Sequence, residues 1–146
     1  MRLILALLLS IPLISCNKDT NSYKLEGDAI GFEDGTEMYV YTLENKQPKL
    51  LDTIVINEGK FSATYPNSEN TTLNFLRLNE VQGSVLFFPE NVDMQATIYK
   101  DSIRASRVMG GKQNEAYSDF VNKMTAFNKR KQENMERFRA AREMND

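Results

Sequence analysis

Residues 92–98 read VDMQATI and alternate strictly between apolar and polar side chains. Successive side chains on a β-strand point to opposite faces, so this alternation predicts a strand that buries one face and exposes the other. Residues 61–65, FSATY, repeat the pattern and place a second apolar face toward a core. The two stretches therefore predict a mainly β protein.

Three further runs, residues 38–41, 54–56 and 85–88, are apolar on both faces, which is typical of interior strands. Clusters of Gly, Asn, Asp and Pro separate the runs at spacings suited to hairpins. We therefore predict an antiparallel β-sandwich or open barrel of about eight short strands. The strands are expected near residues 23–31, 36–43, 50–56, 60–65, 71–78, 84–88, 92–99 and 103–109.

The character of the chain changes after Gly110 and Gly111, because no Gly or Pro follows and apolar side chains recur at helical spacing. Residues 112–146 are therefore predicted to form a helical tail of one or two helices. Its apolar residues are dense between Tyr117 and Phe127, so we expect the first half to pack on the sheet. The second half is expected to be the least stable part of the chain.

The amino terminus carries the pattern of a targeting segment. Arg2 supplies a positive start and residues 3–14 an apolar run of twelve residues. As a helix that run reaches roughly 18 Å, well short of the ~30 Å hydrocarbon core that a membrane-spanning helix must cross. The length fits the apolar region of a secretory signal peptide.

The run ends at Leu13, Ile14, Ser15 and Cys16, and this tetrad resembles the lipobox of bacterial lipoproteins. The resemblance implies cleavage before Cys16 and acylation of its sulfur and amino group. Such a modification would account for the single cysteine of the chain. The alternatives are a cleaved secretion signal without lipid and an uncleaved apolar amino terminus. We thus expect four segments: a signal peptide at 1–15, a lipidated tether at 16–22, a β domain at 23–111 and the helical tail at 112–146.

Composition argues against several function classes. The net charge is −2, with a mildly acidic body and a mildly basic tail, so no nucleic-acid partner is expected. The chain contains no His, which removes the usual nucleophile activation and zinc ligand sets. Nor does the spacing of five clustered carboxylates match a calcium-binding EF-hand loop, and no pair of acids is placed across a cleft for glycoside hydrolysis. These carboxylates are Glu26, Asp28, Glu33, Asp34 and Glu37. We expect no catalytic residues, no metal site and no cofactor.

Two features could bind a partner. Tyr39 and Tyr41 share one face of a predicted strand, and exposed aromatic pairs commonly contact sugars or peptides. The alternative is that they cover the sheet beneath the C-terminal helix. The second feature is the stretch 123–142, rich in Lys, Arg, Met and Phe, which suits an anionic surface or a partner helix. The alternative there is a solvated helix face.

Between residues 22 and 125 the chain resembles a known family. It is the uncharacterised domain that precedes the thioredoxin-like domain in lipid-anchored thiol:disulfide interchange proteins of the bacterial envelope. The resembling stretches are 27–31, 34–41, 52–56, 59–61, 87–89 and 94–96, followed by Gly110, Gly111 and the segment NEAYSDF at 114–120. Four glycines in these stretches, Gly27, Gly31, Gly35 and Gly59, are expected at hairpin turns or bulges.

The redox activity of those relatives does not carry over, because this chain has no Trp and no second Cys for a Trp-Cys-x-x-Cys motif. We therefore expect a non-catalytic binding or scaffolding module, lipid-anchored in the cell envelope at the outer membrane and facing the periplasm or the surface. Its expected partners are the membrane, through the anchor, and an envelope protein. Two alternatives are a truncated or accessory component of a thiol:disulfide interchange system, and a structural subunit assembled through its helical tail.

Overall fold

The computed structural model describes residues 21–70 and 72–144. This part of the chain is mainly β: eight strands form two four-stranded sheets that are not closed into a barrel, and one helix follows. Sheet A has the strand order β4-β1-β7-β8 and sheet B the order β3-β2-β5-β6. The strands are β1 (Ser22–Ile30), β2 (Glu37–Glu44), β3 (Gln47–Val55), β4 (Lys60–Pro66), β5 (Asn74–Leu78), β6 (Val85–Phe87), β7 (Met94–Tyr99) and β8 (Arg107–Met109), and the helix is α1 (Lys112–Glu143).

The predicted number of strands and their order along the chain are confirmed. The strand predicted at 103–109 is shorter than expected, because residues Ile103–Ala105 form a turn of 3-10 helix. There the Ala105 N–H bonds to the Ser102 carbonyl over 2.8 Å, which makes it unavailable to a strand ladder. Only Arg107–Met109 pairs with β7.

The core lies between the two sheets and is built from the alternating strands. In β7, Met94, Ala96 and Ile98 are buried while Gln95 is exposed, as the alternation predicts. In β4, Phe61 is buried in the same way. Burying an aliphatic or aromatic side chain of this size stabilises a fold by about 1.5–3 kcal/mol, so the apolar faces of the strands hold the sheets together.

The prediction of interior strands is right for one run and wrong for two. Residues 38–41 lie in β2, which is interior to sheet B, whereas 54–56 and 85–88 lie largely in β3 and β6, the two edge strands. Their outward-facing apolar residues have other surroundings: Val55 is 45% exposed, and Leu86 lines a groove beside α1. A strand with apolar residues on both faces can therefore be an edge strand, paired on one side only.

One strand pair departs from the antiparallel pattern. β1 and β7 run parallel, with Gly27 opposite Ala96. The connection between them passes through sheet B, so no hairpin dictates their relative direction. Gly27 lies within β1 and not at a turn, which corrects the expectation for this glycine. A Cβ at Gly27 would lie 1.8 Å from the backbone oxygen of Ala96, so only glycine permits the approach.

A single helix follows the strands and is fixed at its start by a buried amide. Asn114, 1% exposed, donates from Nδ2 to the carbonyls of Phe88 and Gly110, each over 2.7 Å, and its Oδ1 accepts from the Phe88 N–H over 2.8 Å. From this point α1 packs along β8, and the Arg107 guanidinium reaches Asn122. The helix thus runs back along β8 in the opposite direction.

The first half of α1 packs on the β domain, but only part of the predicted apolar stripe takes part in the contact. Phe120, Met124 and Phe127 are exposed, and the side chains that turn toward the β domain are Asn114 and Ser118, with Tyr117 and Val121 partly buried. Because successive residues are rotated by about 100°, the exposed stripe lies roughly 100° around the helix from the packed face. The packed face is polar at its centre since Asn114 must reach backbone groups there.

We expect Gly27→Ala to destabilise the protein by at least about 2 kcal/mol, because the added methyl group overlaps the Ala96 carbonyl and β1 must move away from β7. Urea denaturation followed by circular dichroism measures the loss. The control is Gly35→Ala in the turn before β2, where φ is +86° and no atom lies within 4 Å of the new Cβ. Backbone strain alone should cost roughly 1 kcal/mol there. Equal losses at the two positions would contradict the close approach.

Candidate functional site

The two candidate tyrosines lie on the outer face of sheet B. Met38 and Val40 of the same strand are fully buried, so Tyr39 and Tyr41 share the opposite face and point away from the core. Both rings are half-buried. The helix packs on β8, an edge strand of the other sheet, so the alternative that they lie beneath the helix is wrong.

Tyr41 belongs to a row of apolar side chains that crosses all four strands of sheet B. Its ring stacks on Phe75 with centroids 5.2 Å apart and planes 13° apart. Strand register places Leu50 opposite Tyr41 on one side and Leu86 opposite Phe75 on the other. With strands about 4.8 Å apart, the row is roughly 15 Å long. We call Leu50, Tyr41, Phe75 and Leu86 the aromatic row.

Tyr39 adds a polar group next to the aromatic row. Its hydroxyl donates to the Glu37 carboxylate, and the Asn79 amide donates to the same hydroxyl over 3.4 Å. The hydrogen bond to Glu37 raises the pKa of Tyr39, since ionisation would break it and place two negative charges together; burial raises it further. Tyr39 therefore stays a neutral phenol beside a carboxylate.

The outer face of sheet A has a different character. Gln95 Nε2 donates to Glu26 over 2.7 Å, Lys24 pairs with the same carboxylate, and Lys60 pairs with Asp28 over 2.8 Å. Polar side chains thus form hydrogen bonds and ion pairs with one another across β4, β1 and β7. The outer face of sheet A also exposes Ile30, Tyr99 and Met109, but only sheet B carries apolar side chains in register across all four strands.

The five clustered carboxylates do not converge. Glu26 and Asp28 lie on β1 with lysine partners, Glu37 begins β2 beside Tyr39, and Glu33 and Asp34 lie in the intervening turn. Within residues 21–70 and 72–144, no three acidic, cysteine or histidine side chains come close enough to hold a metal ion. These five residues are therefore close in the sequence, but their carboxylate oxygens do not come together to bind a metal ion.

A groove of about 240 Å³ separates the first half of α1 from β6, β8 and the 3-10 turn. Leu86, Val108 and Val121 form apolar parts of its wall. Arg107 lies at its edge and donates from Nη1 to the carbonyls of Arg104 and Ser106, both over 2.7 Å, while its Nε has no hydrogen-bond partner among the described residues. The groove brings one end of the aromatic row next to the helix.

The basic stretch predicted at 123–142 is solvent-facing in the structure. Every side chain from Asn122 to Met144 is exposed, including Phe127, Met135 and Phe138. These apolar residues lie on one side of α1 together with Arg130, Lys131, Arg139 and Arg142. The interpretation as a merely solvated face does not explain why large apolar side chains share that side.

Sequence reasoning missed the partners of Tyr41. Phe75 alternates with the buried Asn74 and Leu76, a signal that would have placed it on the outer face. Nothing in the sequence, however, assigns Phe75 to the strand beside Tyr41, because that pairing depends on the sheet order. The predicted lipidation site at Cys16, the flanking Leu13, Ile14 and Ser15, and most of the tether at 16–22 lie outside the described residues.

A family model matches residues 23–117, from β1 to the first turns of α1; the family is described as Domain of unknown function (DUF4369). The chain belongs to this family. The DUF4369 domain thus includes both sheets, the aromatic row and Asn114, while the exposed part of α1 lies beyond the matched residues. No curated protein and no solved structure matches the chain. Among the described residues, no helix combines the length and the apolar character that crossing a bilayer requires.

We expect Glu37→Gln to lower the pKa of Tyr39 toward the ordinary value of about 10, because a neutral amide no longer opposes the phenolate. Titration of ¹³Cζ-labelled tyrosines by NMR measures each ring separately. The matched control is Asp52→Asn, which removes the carboxylate that accepts from Tyr65 over 3.0 Å. Burial first, then Asp52, raises the pKa of Tyr65, so this variant should shift Tyr65 and leave Tyr39 unchanged. A Tyr39 titration insensitive to Glu37 would contradict the hydrogen bond.

Proposed function

We propose that this protein is a lipid-anchored module of the bacterial cell envelope that binds or scaffolds a partner without catalysis. The observation that carries the proposal is the aromatic row: Leu50 is 50% exposed, and Tyr41 and Phe75 form a stacked pair on a rigid sheet. Tyr41, Phe75 and Leu86 are partly exposed beside Leu50, and a row of accessible apolar side chains on a paired sheet is typical of a contact surface. The partner expected from such a row is a sugar or a peptide of an envelope protein.

The continuity of the aromatic row across all four strands of sheet B supports this choice of surface. The charged side chains of sheet A are engaged with one another, whereas the row on sheet B has only its own members as neighbours across the strands. Tyr39 and its hydrogen-bonded Glu37 stand beside the row and supply polar groups that would orient a ligand.

Anchoring at the envelope is proposed from the sequence. The tetrad from Leu13 to Cys16 resembles a lipobox, and β1 begins only six residues after Cys16. Two or three acyl chains would hold the protein on the membrane effectively permanently, because each buried methylene contributes about 0.8 kcal/mol. The domain would then remain within roughly 20 Å of the bilayer, the reach of a six-residue tether. A link to a thiol:disulfide interchange system stays a prediction from the resemblance.

A second candidate function is that of a structural subunit assembled through α1. It is favoured by the exposure of every side chain from Asn122 to Met144, including large apolar ones. The two candidates use different surfaces, so each can be tested without the other.

For the anchor, we expect wild-type protein from its native envelope to begin at Cys16 and to carry the added mass of a diacylglyceryl group and an acyl chain. Cys16→Ser should retain residues 1–15 and incorporate no labelled palmitate, because serine offers no sulfur for the thioether. Intact-mass spectrometry and metabolic labelling measure both properties. Ser15→Ala keeps a small residue before the cleavage point and should behave as wild type. Detection of an unmodified Cys16 thiol in the protein from its native envelope would contradict the proposed lipid anchor.

For the contact surface, we expect a photoreactive benzoyl-phenylalanine at position 41 to form a discrete crosslinked product in intact cells. The same group at position 62, on the exposed outer face of sheet A, should not form it. Phe75→Ser should lower the yield at position 41 several-fold, since it removes the stacked neighbour of the contact ring. If both positions yield the same products, or neither yields any, the aromatic row is not the binding surface.

A further inference from the structure

The exposed part of α1 carries an apolar seam at coiled-coil spacing. Its positions alternate between steps of three and four residues, which keeps them on one side of a helix that packs against another. The seam consists of Phe120, Met124, Phe127, Lys131, Asn134, Phe138 and Ala141. The three phenylalanines are 58%, 55% and 69% exposed, so the seam is open along its length.

Basic side chains flank the seam, and acidic side chains avoid it. Lys123, Arg130 and Arg137 follow one edge, and Arg142 lies on the other with Met135. The acidic residues of this part of the helix occupy the opposite side: Asp119, Glu133, Glu136 and Glu143. Charges at the edges of a seam select the partner of a coiled coil, so this distribution favours a partner with acidic edges.

A second copy of the chain is a poor occupant for the same reason. In a parallel pair, Lys131 would meet its own counterpart inside the seam, and Arg137 would lie beside Arg142 of the other copy. In an antiparallel pair, the edge formed by Lys123, Arg130 and Arg137 would face itself. Either arrangement juxtaposes like charges, which is destabilising.

A lipid surface fits the seam less well than a protein helix does. Lys131 and Asn134 interrupt the apolar side chains at the middle of the seam. On a bilayer they would be pressed toward the acyl region together with Phe127 and Phe138, where polar groups find no partner. A facing helix can place a carboxylate opposite Lys131 and an amide opposite Asn134, and such polar pairs also set the register.

We propose that residues 120–143 of α1 bind an amphipathic helix of another protein whose apolar seam is flanked by Asp and Glu. The inference deepens the second candidate function and rests on it. It does not depend on the aromatic row or on lipidation. The segment is about 36 Å long as a helix, which is long enough for three heptads of contact.

The test uses a designed probe, a 28-residue peptide with Ile and Leu in its seam and Glu at both edges. The matched peptide has Lys at both edges. The full chain is held in phosphatidylcholine nanodiscs, and binding is followed by fluorescence anisotropy of the labelled peptide. We expect the Glu peptide to bind at least about tenfold more tightly than the Lys peptide, and the difference to shrink in high salt. Equal binding of the two peptides, or no binding of either, would overturn the proposal.

Neighbouring residues provide matched variants of the protein. Arg130→Glu at the edge of the seam should weaken the Glu peptide at least about tenfold, whereas Lys129→Glu on the opposite side should leave it nearly unchanged despite the same change of charge. Phe127→Ala with Phe138→Ala should weaken both peptides, because the seam loses two large apolar side chains. All of these residues are exposed, so circular dichroism and the melting temperature of each variant should match the wild type within a few degrees.

Two other occupants give distinct results. If α1 binds lipid, nanodiscs containing phosphatidylglycerol should abolish the peptide binding that phosphatidylcholine nanodiscs permit. If α1 binds a second copy, the chain should sediment as a dimer that Phe127→Ala dissociates. Either outcome would contradict the proposal of an acidic helix and would identify lipid or a second copy of the chain as the partner.

Discussion

The close approach of β1 to β7 at Gly27 is the constraint on which sheet A depends. The first strand of the domain is interior to this sheet and pairs with β4 on one side and β7 on the other. Its partners are distant in sequence, and the chain between β1 and β7 contains all four strands of sheet B. A side chain at Gly27 would collide with the Ala96 carbonyl, so the pairing requires glycine at that position. Once β7 is placed, β8 follows beside it, and the position of β8 determines where the helix starts.

Asn114 transmits this arrangement to the helix. Its amide satisfies the N–H and the carbonyl of Phe88, just after β6, and the carbonyl of Gly110, just after β8. Because β6 and β8 belong to different sheets, one side chain joins the edges of both to the first turn of α1. The three hydrogen bonds of this buried amide stabilise the fold beyond the packing of the side chain, since each bond that was not made would leave a buried polar group unsatisfied. The orientation that results turns the phenylalanines of α1 away from the sandwich.

The molecule therefore presents two surfaces of different chemistry. The aromatic row on sheet B lies within the DUF4369 domain and contains no charged side chain. It is rigid because its residues belong to four paired strands. The seam on α1 lies beyond the matched residues and is flanked by basic side chains. In the second half of this helix, no described residue packs closely enough to bury a side chain. Under the two proposals made above, one partner would bind the sheet and another the helix, and the separation of the surfaces would let both bind at the same time.

The sequence by itself determined the class of fold, the number of strands, most of their bounds and the change to helix after Gly111, because periodicity is a local property of the chain. It also placed Tyr39 and Tyr41 together on one face of a strand, opposite Met38 and Val40. Only the tertiary structure decided that β1 and β7 run parallel, that Phe75 and Leu86 continue the row from Tyr41, and that Phe120 and Phe127 stay exposed. Those features depend on which strands become neighbours and on how far α1 is rotated about its axis. Both are settled by contacts between residues far apart in the chain, such as Gly27 with Ala96 and Asn114 with Phe88, which no local pattern encodes.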